Sequence, residues 1–150
     1  MGGRAVARVA TRPLPVDRRL GLVERGRLAA EILVAYLGAR RELGRSPIAT
    51  VVDRLRSEAD RPPEEAADTL EEARRLGRAV SRTLALAPGD TRCLIRSLVL
   101  IRLLSRRGLL ARLVIGARAE PDFLAHAWVE HGGEPVLPTG EGSFGRLVEL

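Results

Sequence analysis

The sequence contains few of the residues from which disulfides and metal sites are built. Its 150 residues include one cysteine, Cys93, and two histidines, His126 and His131. A lone cysteine excludes an intramolecular disulfide, and so few ligands leave little from which to build a metal site. We therefore expect no metal and no other cofactor, and a free thiol fits the reducing cytoplasm.

Lysine, asparagine and glutamine are missing altogether, so all 25 basic residues are arginine. The formal charge of +6 at pH 7 favours acidic partners in general, nucleic acid among them. However, aromatic residues make up only 3% of the chain, which leaves little surface for base stacking. We expect any nucleic-acid binding to be non-specific and salt-sensitive.

Long hydrophobic runs are missing as well. A transmembrane helix needs about 18 to 20 uncharged apolar residues. The best candidate, residues 94–104, is interrupted by Arg96 and Arg102. The basic N-terminus, residues 1–13, lacks the apolar stretch of a secretory signal. The sequence therefore predicts no membrane segment.

Residues 1–86 have a helical pattern. The first predicted helix begins near Leu20 and has an apolar face that we assign to the core. Its members recur at helical spacing: Leu28, Ile32, Leu33, Tyr36 and Leu37. Two further helices are predicted at about 47–59 and 63–86, because each begins at a proline, which suits a first helical turn.

Residues 87–150 begin with the most apolar helix of the chain. Asp90 is a good N-cap for this helix, which is predicted to end near Arg107 with Gly108 as its left-handed terminator. Apolar residues occur nearly all round it, and a helix of this kind belongs in the middle of a core.

After this helix the period of the pattern changes from helical to strand-like. Residues 111–118 and 125–131 alternate in part, and a Gly-Gly pair predicts a two-residue hairpin turn into 134–137. Residues 144–150 read as a last ordered segment. The predicted fold class is α+β: a helical region, 1–86, followed by a core, 87–150, in which a buried helix packs on a small antiparallel sheet.

Cys93 and His126 form the candidate catalytic pair. A thiolate in the first helical turn faces unpaired backbone N–H groups and the positive end of the helix dipole, which stabilise the charged form. The histidine lies in the second strand and can act as its base. The alternative is a purely structural role for each residue. Cys93 would then be a small buried apolar residue, and His126 would be a hydrogen-bonded histidine of a strand.

Three blocks of the sequence resemble one known family. The blocks are CLIRSLVL at 93–100, RGLLARLVIG at 107–116 and HAWVE at 126–130. In order and spacing they are similar to the transglutaminase-like cysteine peptidases of lasso peptide biosynthesis, over roughly 89–150. The resemblance implies a transglutaminase/papain-like core with Cys93 as nucleophile and His126 as base.

By the same resemblance, the reaction is removal of the leader from a ribosomally made precursor peptide. The implied partners are that precursor, a small leader-binding protein and a separate lasso cyclase. The third catalytic residue departs from the family pattern, because Pro138 occupies its place. The hairpin register pairs His126 with Thr139, so the group that orients the imidazole is Thr139, Glu141 or a main-chain carbonyl.

Other residues near this pair have two interpretations. Trp128 shares a strand face with His126 and either walls the site or belongs to the core, and Arg96 and Ser97 either contact substrate or cap carbonyls. Glu130, Glu134 and His131 are interpreted as solvated residues of the hairpin. If catalysis is lost, the alternative function is a non-catalytic scaffold or binding module in a peptide-maturation complex.

Overall fold

The computed structural model describes residues 21–58, 69–85, 93–119, 122–139 and 143–150. Within them, four helices and one antiparallel sheet form the α+β fold that was predicted. The helices are α1 (Leu22–Leu43), α2 (Ile48–Ser57), α3 (Leu70–Ala85) and α4 (Cys93–Arg106). The strands are β1 (Arg112–Arg118), β2 (Leu124–His131), β3 (Glu134–Pro135) and β4 (Gly145–Glu149).

Helix α4 lies at the centre of the fold, as its apolar circumference predicts. Both the helical layer of α1, α2 and α3 and the strands β1 and β2 pack against it. The apolar side chains that it buries are at most 1% exposed: Leu98, Val99, Leu100, Ile101, Leu103 and Leu104. The helix that carries Cys93 is therefore held on several sides.

Gly108 terminates α4 in the left-handed conformation, with φ of 71°. Its N–H donates to the carbonyl of Ser105, and the N–H of Leu109 donates to the carbonyl of Leu104. These two bonds satisfy carbonyls at the helix end, and the chain then turns directly into β1. The predicted terminator is confirmed.

The sheet has the strand order β3-β2-β1-β4. Gly132 and Gly133 have φ of 59° and 80° and form the predicted two-residue turn, so His131 pairs with Glu134. The third strand is shorter than the predicted 134–137, because it ends at Pro135. The N–H of Val136 donates one further hydrogen bond to the carbonyl of Val129. The C-terminal segment forms β4, which pairs with β1.

The buried face of α1 differs from the prediction. Leu33 and Leu37 are 45% and 64% exposed, whereas Ile32 and Tyr36 are buried as expected. Apolar residues lie on both sides of α1, and the side with small residues packs inward because alanines allow helices to approach closely. That inward face includes Ala35 and Ala39.

Two arginines of the α4 region connect it to the N-terminal helices. Arg102 pairs through two nitrogens with Glu58, and Arg107 does the same with Glu31. The predicted starts of α3 and α4 and the predicted boundary after residue 86 lie outside the described residues. No helix within the described ranges is long and apolar enough to cross a membrane.

Candidate active site

Cys93 is half-buried at the first described residue of α4. The backbone N–H of Ala127 on β2 donates a hydrogen bond to its Sγ at 3.4 Å. This N–H is available because β3 ends at Pro135, so that no described strand covers this edge of β2 at Ala127. The short third strand therefore leaves room for the thiol. No pattern in the sequence indicates this donor, since its availability depends on where β3 ends.

The imidazole of His126 contacts a main-chain carbonyl. Its Nε2 lies 3.1 Å from the carbonyl oxygen of Pro138. A carbonyl can only accept, so this contact assigns the proton to Nε2 and leaves Nδ1 of the neutral ring as a proton acceptor. A main-chain carbonyl was one of the three alternatives for the orienting group. Glu141 lies outside the described residues, and the roles of Glu141 and Thr139 stay predictions.

Cys93 and His126 line the same cavity, which has a volume of about 200 Å³. The other lining residues come from α3, α4, β2 and the segment after β3: Ser81, Arg96, Ala127, Leu137 and Pro138. Ser97 does not line this cavity and is fully buried, with no hydrogen-bond partner for its Oγ among the described residues. The fold thus brings the candidate nucleophile and base to one opening.

Aromatic rings support the imidazole on the sheet. The His126 ring stacks on Trp128, with centroids 6.2 Å apart and an interplanar angle of 19°, and lies 5.4 Å from the ring of Phe144. A Cβ at Gly116 would come within 2.9 Å of the Trp128 ring, so the glycine makes room for the indole. Trp128 is 4% exposed. It therefore belongs to the core and supports His126 as well.

Glu130 is buried, which corrects its interpretation as a solvated hairpin residue. Its Oε1 accepts hydrogen bonds from Trp128 Nε1 at 2.9 Å and from Arg146 at 2.7 Å. A hydrogen bond to Glu149, together with the charge of Glu130, raises the pKa of Arg146 above its ordinary value. Burial of this carboxylate is tolerated because an arginine and an indole N–H satisfy it. Glu134 is exposed, as expected.

His131 is also buried, and its interpretation as an exposed loop residue is wrong. Its Nδ1 lies 2.6 Å from the carbonyl of Leu110, and its Nε2 lies 2.6 Å from the hydroxyl of Thr69. The carbonyl requires a proton on Nδ1, so the neutral ring accepts the hydroxyl proton at Nε2. Both nitrogens are engaged, and His131 is a structural link between α3 and the sheet. Of the two histidines, His126 is the one that lines the cavity of Cys93.

Two further observations bear on the kind of site. Among the residues that the structure describes, no group of three His, Cys, Asp or Glu could hold a metal ion. A larger cavity, of about 470 Å³, lies elsewhere between α1 and α3, but its polar lining of Glu24, Arg27, Glu31, Arg75 and Arg107 contains no nucleophile. The chemistry therefore points to the smaller cavity.

One comparison with known proteins identifies a family for this chain. A family model described as the transglutaminase-like superfamily matches residues 33–149. No curated protein and no solved structure matches the chain significantly. The match covers most of the chain, including α2, α3, α4 and the whole sheet. The chain belongs to the transglutaminase-like superfamily.

Proposed function

We propose that this protein is a cysteine peptidase that removes the leader from a lasso-type precursor peptide, acting with a separate leader-binding protein. The observation that carries the proposal is the shared cavity of Cys93 and His126. Membership of the transglutaminase-like superfamily is consistent with a cysteine-peptidase fold. The substrate class and the partner come from the sequence resemblance of residues 89–150.

In the proposed reaction, Nδ1 of His126 takes the thiol proton and the sulfur of Cys93 attacks the scissile carbonyl carbon. The C–N bond breaks, the imidazolium returns its proton to the leaving amine, and a thioester remains on the cysteine. Water, deprotonated by the same Nδ1, then attacks the thioester carbon. The C–S bond breaks, the imidazolium returns its proton to the sulfur, and the leader is released as a carboxylic acid. The N–H of Ala127 stabilises the thiolate, and the Cys93 N–H is the proposed oxyanion donor.

The size of the cavity supports an unfolded peptide as substrate. A volume of about 200 Å³ admits a side chain but no folded element. Leu137 and Pro138 give the cavity an apolar wall, and Arg96 gives it a cationic one. A leader peptide that is held in an extended form by a partner protein suits such an opening.

Removal of either member of the pair tests the proposal. Cys93→Ala and His126→Ala are each expected to lower cleavage of the precursor by about a thousand-fold or more, because nucleophile and base act as a unit. Mass spectrometry of the precursor, incubated with the protein and its leader-binding partner, measures cleavage. Arg82→Ala, on an exposed part of α3, is the matched control and keeps full activity. Cleavage by Cys93→Ala would overturn the proposal.

A non-catalytic scaffold is the second candidate function. It is favoured by one observation, namely that the described partner of the imidazole is a carbonyl and not a carboxylate. The peptidase proposal expects iodoacetamide to alkylate Cys93 faster than it alkylates glutathione at pH 7, and His126→Ala to remove this difference. A scaffold predicts equal rates and no cleavage with any partner.

A further inference from the structure

The outer side of α1 is an apolar surface that no other described helix or strand covers. Four large apolar side chains are exposed there, Val23 by 77%, Leu33 by 45%, Val34 by 65% and Leu37 by 64%. They face away from the inward residues of α1, so the helix is apolar on two opposite sides. Among the described residues, only the inward side packs against other helices.

The outer residues follow the spacing of a helix–helix seam. Val23, Gly26, Ala30, Leu33 and Leu37 are separated by three, four, three and four residues, and all five are exposed. This is the spacing at which one α-helix meets another along two heptads. An apolar strip of this kind fits a helix better than it fits an irregular peptide.

Gly26 indicates close approach by the occupant. A Cβ at Gly26 would have nothing within 4 Å, whereas a Cβ at Gly38 or Gly77 would meet atoms of Arg102 or Val136. Glycine inside a helix is destabilising relative to alanine, because glycine loses more conformational freedom on folding. The fold explains the glycines at 38 and 77 but not the one at 26, where the missing side chain leaves space for a second backbone.

The rim of this surface is cationic. Arg27, Arg40 and Arg41 are exposed, and no carboxylate of the described residues pairs with them. The nearby Glu31 is engaged by Arg107. A second copy of a chain with charge +6 would bring these arginines together, and the strip lacks the aromatic residues of membrane-surface helices. Charge complementarity therefore favours an acidic protein partner.

We propose that this outer strip of α1, from Val23 to Leu37, docks an α-helix of a partner protein whose apolar seam is bordered by aspartate and glutamate. The apolar seam would fill the strip, and the acidic border would face the arginines. The docking surface follows from α1 alone. The assignment of this helix to the leader-binding protein rests on the proposed function.

Two synthetic helical peptides of about four heptads test the docking surface. Both have leucine at the seam positions, and they differ only in having glutamate or lysine along the borders. Fluorescence anisotropy with the full chain is expected to show binding of the glutamate peptide, and binding of the lysine peptide about ten-fold weaker or less. Leu37→Glu and Leu33→Glu are expected to remove binding, whereas Leu147→Glu, at an exposed leucine of β4, retains it.

Equal affinity for the two peptides, no binding of the glutamate peptide, or full binding by Leu37→Glu would each overturn the proposal. So would a dimer that Leu37→Glu converts to a monomer in analytical ultracentrifugation, or association with anionic phosphatidylglycerol vesicles that depends on Leu37. Circular dichroism verifies that each variant is folded. The binding measurement needs no peptidase activity, so Cys93→Ala binds normally, and a failed cleavage assay leaves this result unaffected.

Discussion

Glu130 supports the candidate site, because its buried carboxylate contacts Trp128, on which the His126 ring stacks. Its carboxylate, 6% exposed, holds both the indole of Trp128 and the guanidinium of Arg146. Glu130→Ala is expected to lower the free energy of unfolding by about 1–3 kcal/mol, because it leaves the indole N–H unpaired in the core. Urea denaturation measures the difference.

Glu149→Ala is the matched control, since Glu149 also contacts Arg146 but is largely exposed. It is expected to change stability little, because exposed ion pairs contribute little. Equal losses of stability in the two variants would show that the burial of Glu130 does not determine its contribution to stability.

Single residues show what the sequence can and cannot predict. Cys93 and His126 are candidates from the sequence alone, because a thiol at a helix start and a histidine in a strand are visible in the local pattern; the structure places both at one cavity. Glu130 and His131 were misassigned, since a charged or polar residue beside a turn is usually solvated. Their burial depends on Arg146 and Thr69, which lie far away along the chain. No local pattern carries that information.

At the scale of elements, α3 determines the position of the segment that follows β3. A Cβ at Gly77 would overlap the carbonyl oxygen of Val136, two residues before Pro138. Gly77→Ala is expected to destabilise the protein by about 1–3 kcal/mol, because overpacking outweighs the better helix propensity of alanine. Since Pro138 would be displaced, Cys93 alkylation and cleavage are expected to fall as well.

Gly26→Ala is the control, because it makes the same substitution in a helix with open space around it. It is expected to raise stability by about 0.5–1 kcal/mol. Thermal unfolding and the iodoacetamide rate measure both variants. If Gly77→Ala were as stable and as reactive as the unchanged protein, the contact between α3 and Val136 would have no influence on the site.

The helices and strands are largely predictable from the sequence, whereas the side that each of them buries is less predictable. The spacing of apolar residues, the helix-capping residues and the glycine turns predict α1, α2, α4, β1 and β2. The buried side of α1 was misassigned because both of its sides are apolar, and only the packing against α3 and α4 decides between them. The pattern of the sequence does not indicate where β3 ends, because Leu137 and Pro138 lie outside the strand and line the cavity.

For the whole molecule, the central position of α4 predicts one cooperative unit. Its buried side chains face the helices and the sheet alike, and Arg102 and Arg107 pair with Glu58 and Glu31 of the N-terminal region. A fragment of residues 87–150 is therefore expected to stay unfolded, because it would expose one side of α4 and leave both arginines unpaired. Circular dichroism of the fragment measures this directly.

The full chain gives the complementary measurement. Trp128, the one tryptophan, reports on the sheet by fluorescence, and far-UV circular dichroism reports mainly on the helices. Coincident unfolding curves from the two probes are expected for one cooperative unit. Two separate transitions, or a folded fragment, would show that the core of residues 87–150 is independent.

The contact between His126 and the Pro138 carbonyl affects which mutagenesis experiments can detect the groups of this site. The carbonyl belongs to the main chain, so no side-chain substitution can delete it. An alanine scan of the cavity would therefore not detect this contact, even if the imidazole depended on it. The influence of that oxygen would instead be detected by substitutions that shift the backbone segment to which it belongs. The positions are Gly77, which contacts this segment, and the prolines around Leu137. For this protein, a set of backbone-directed substitutions is the more informative scan.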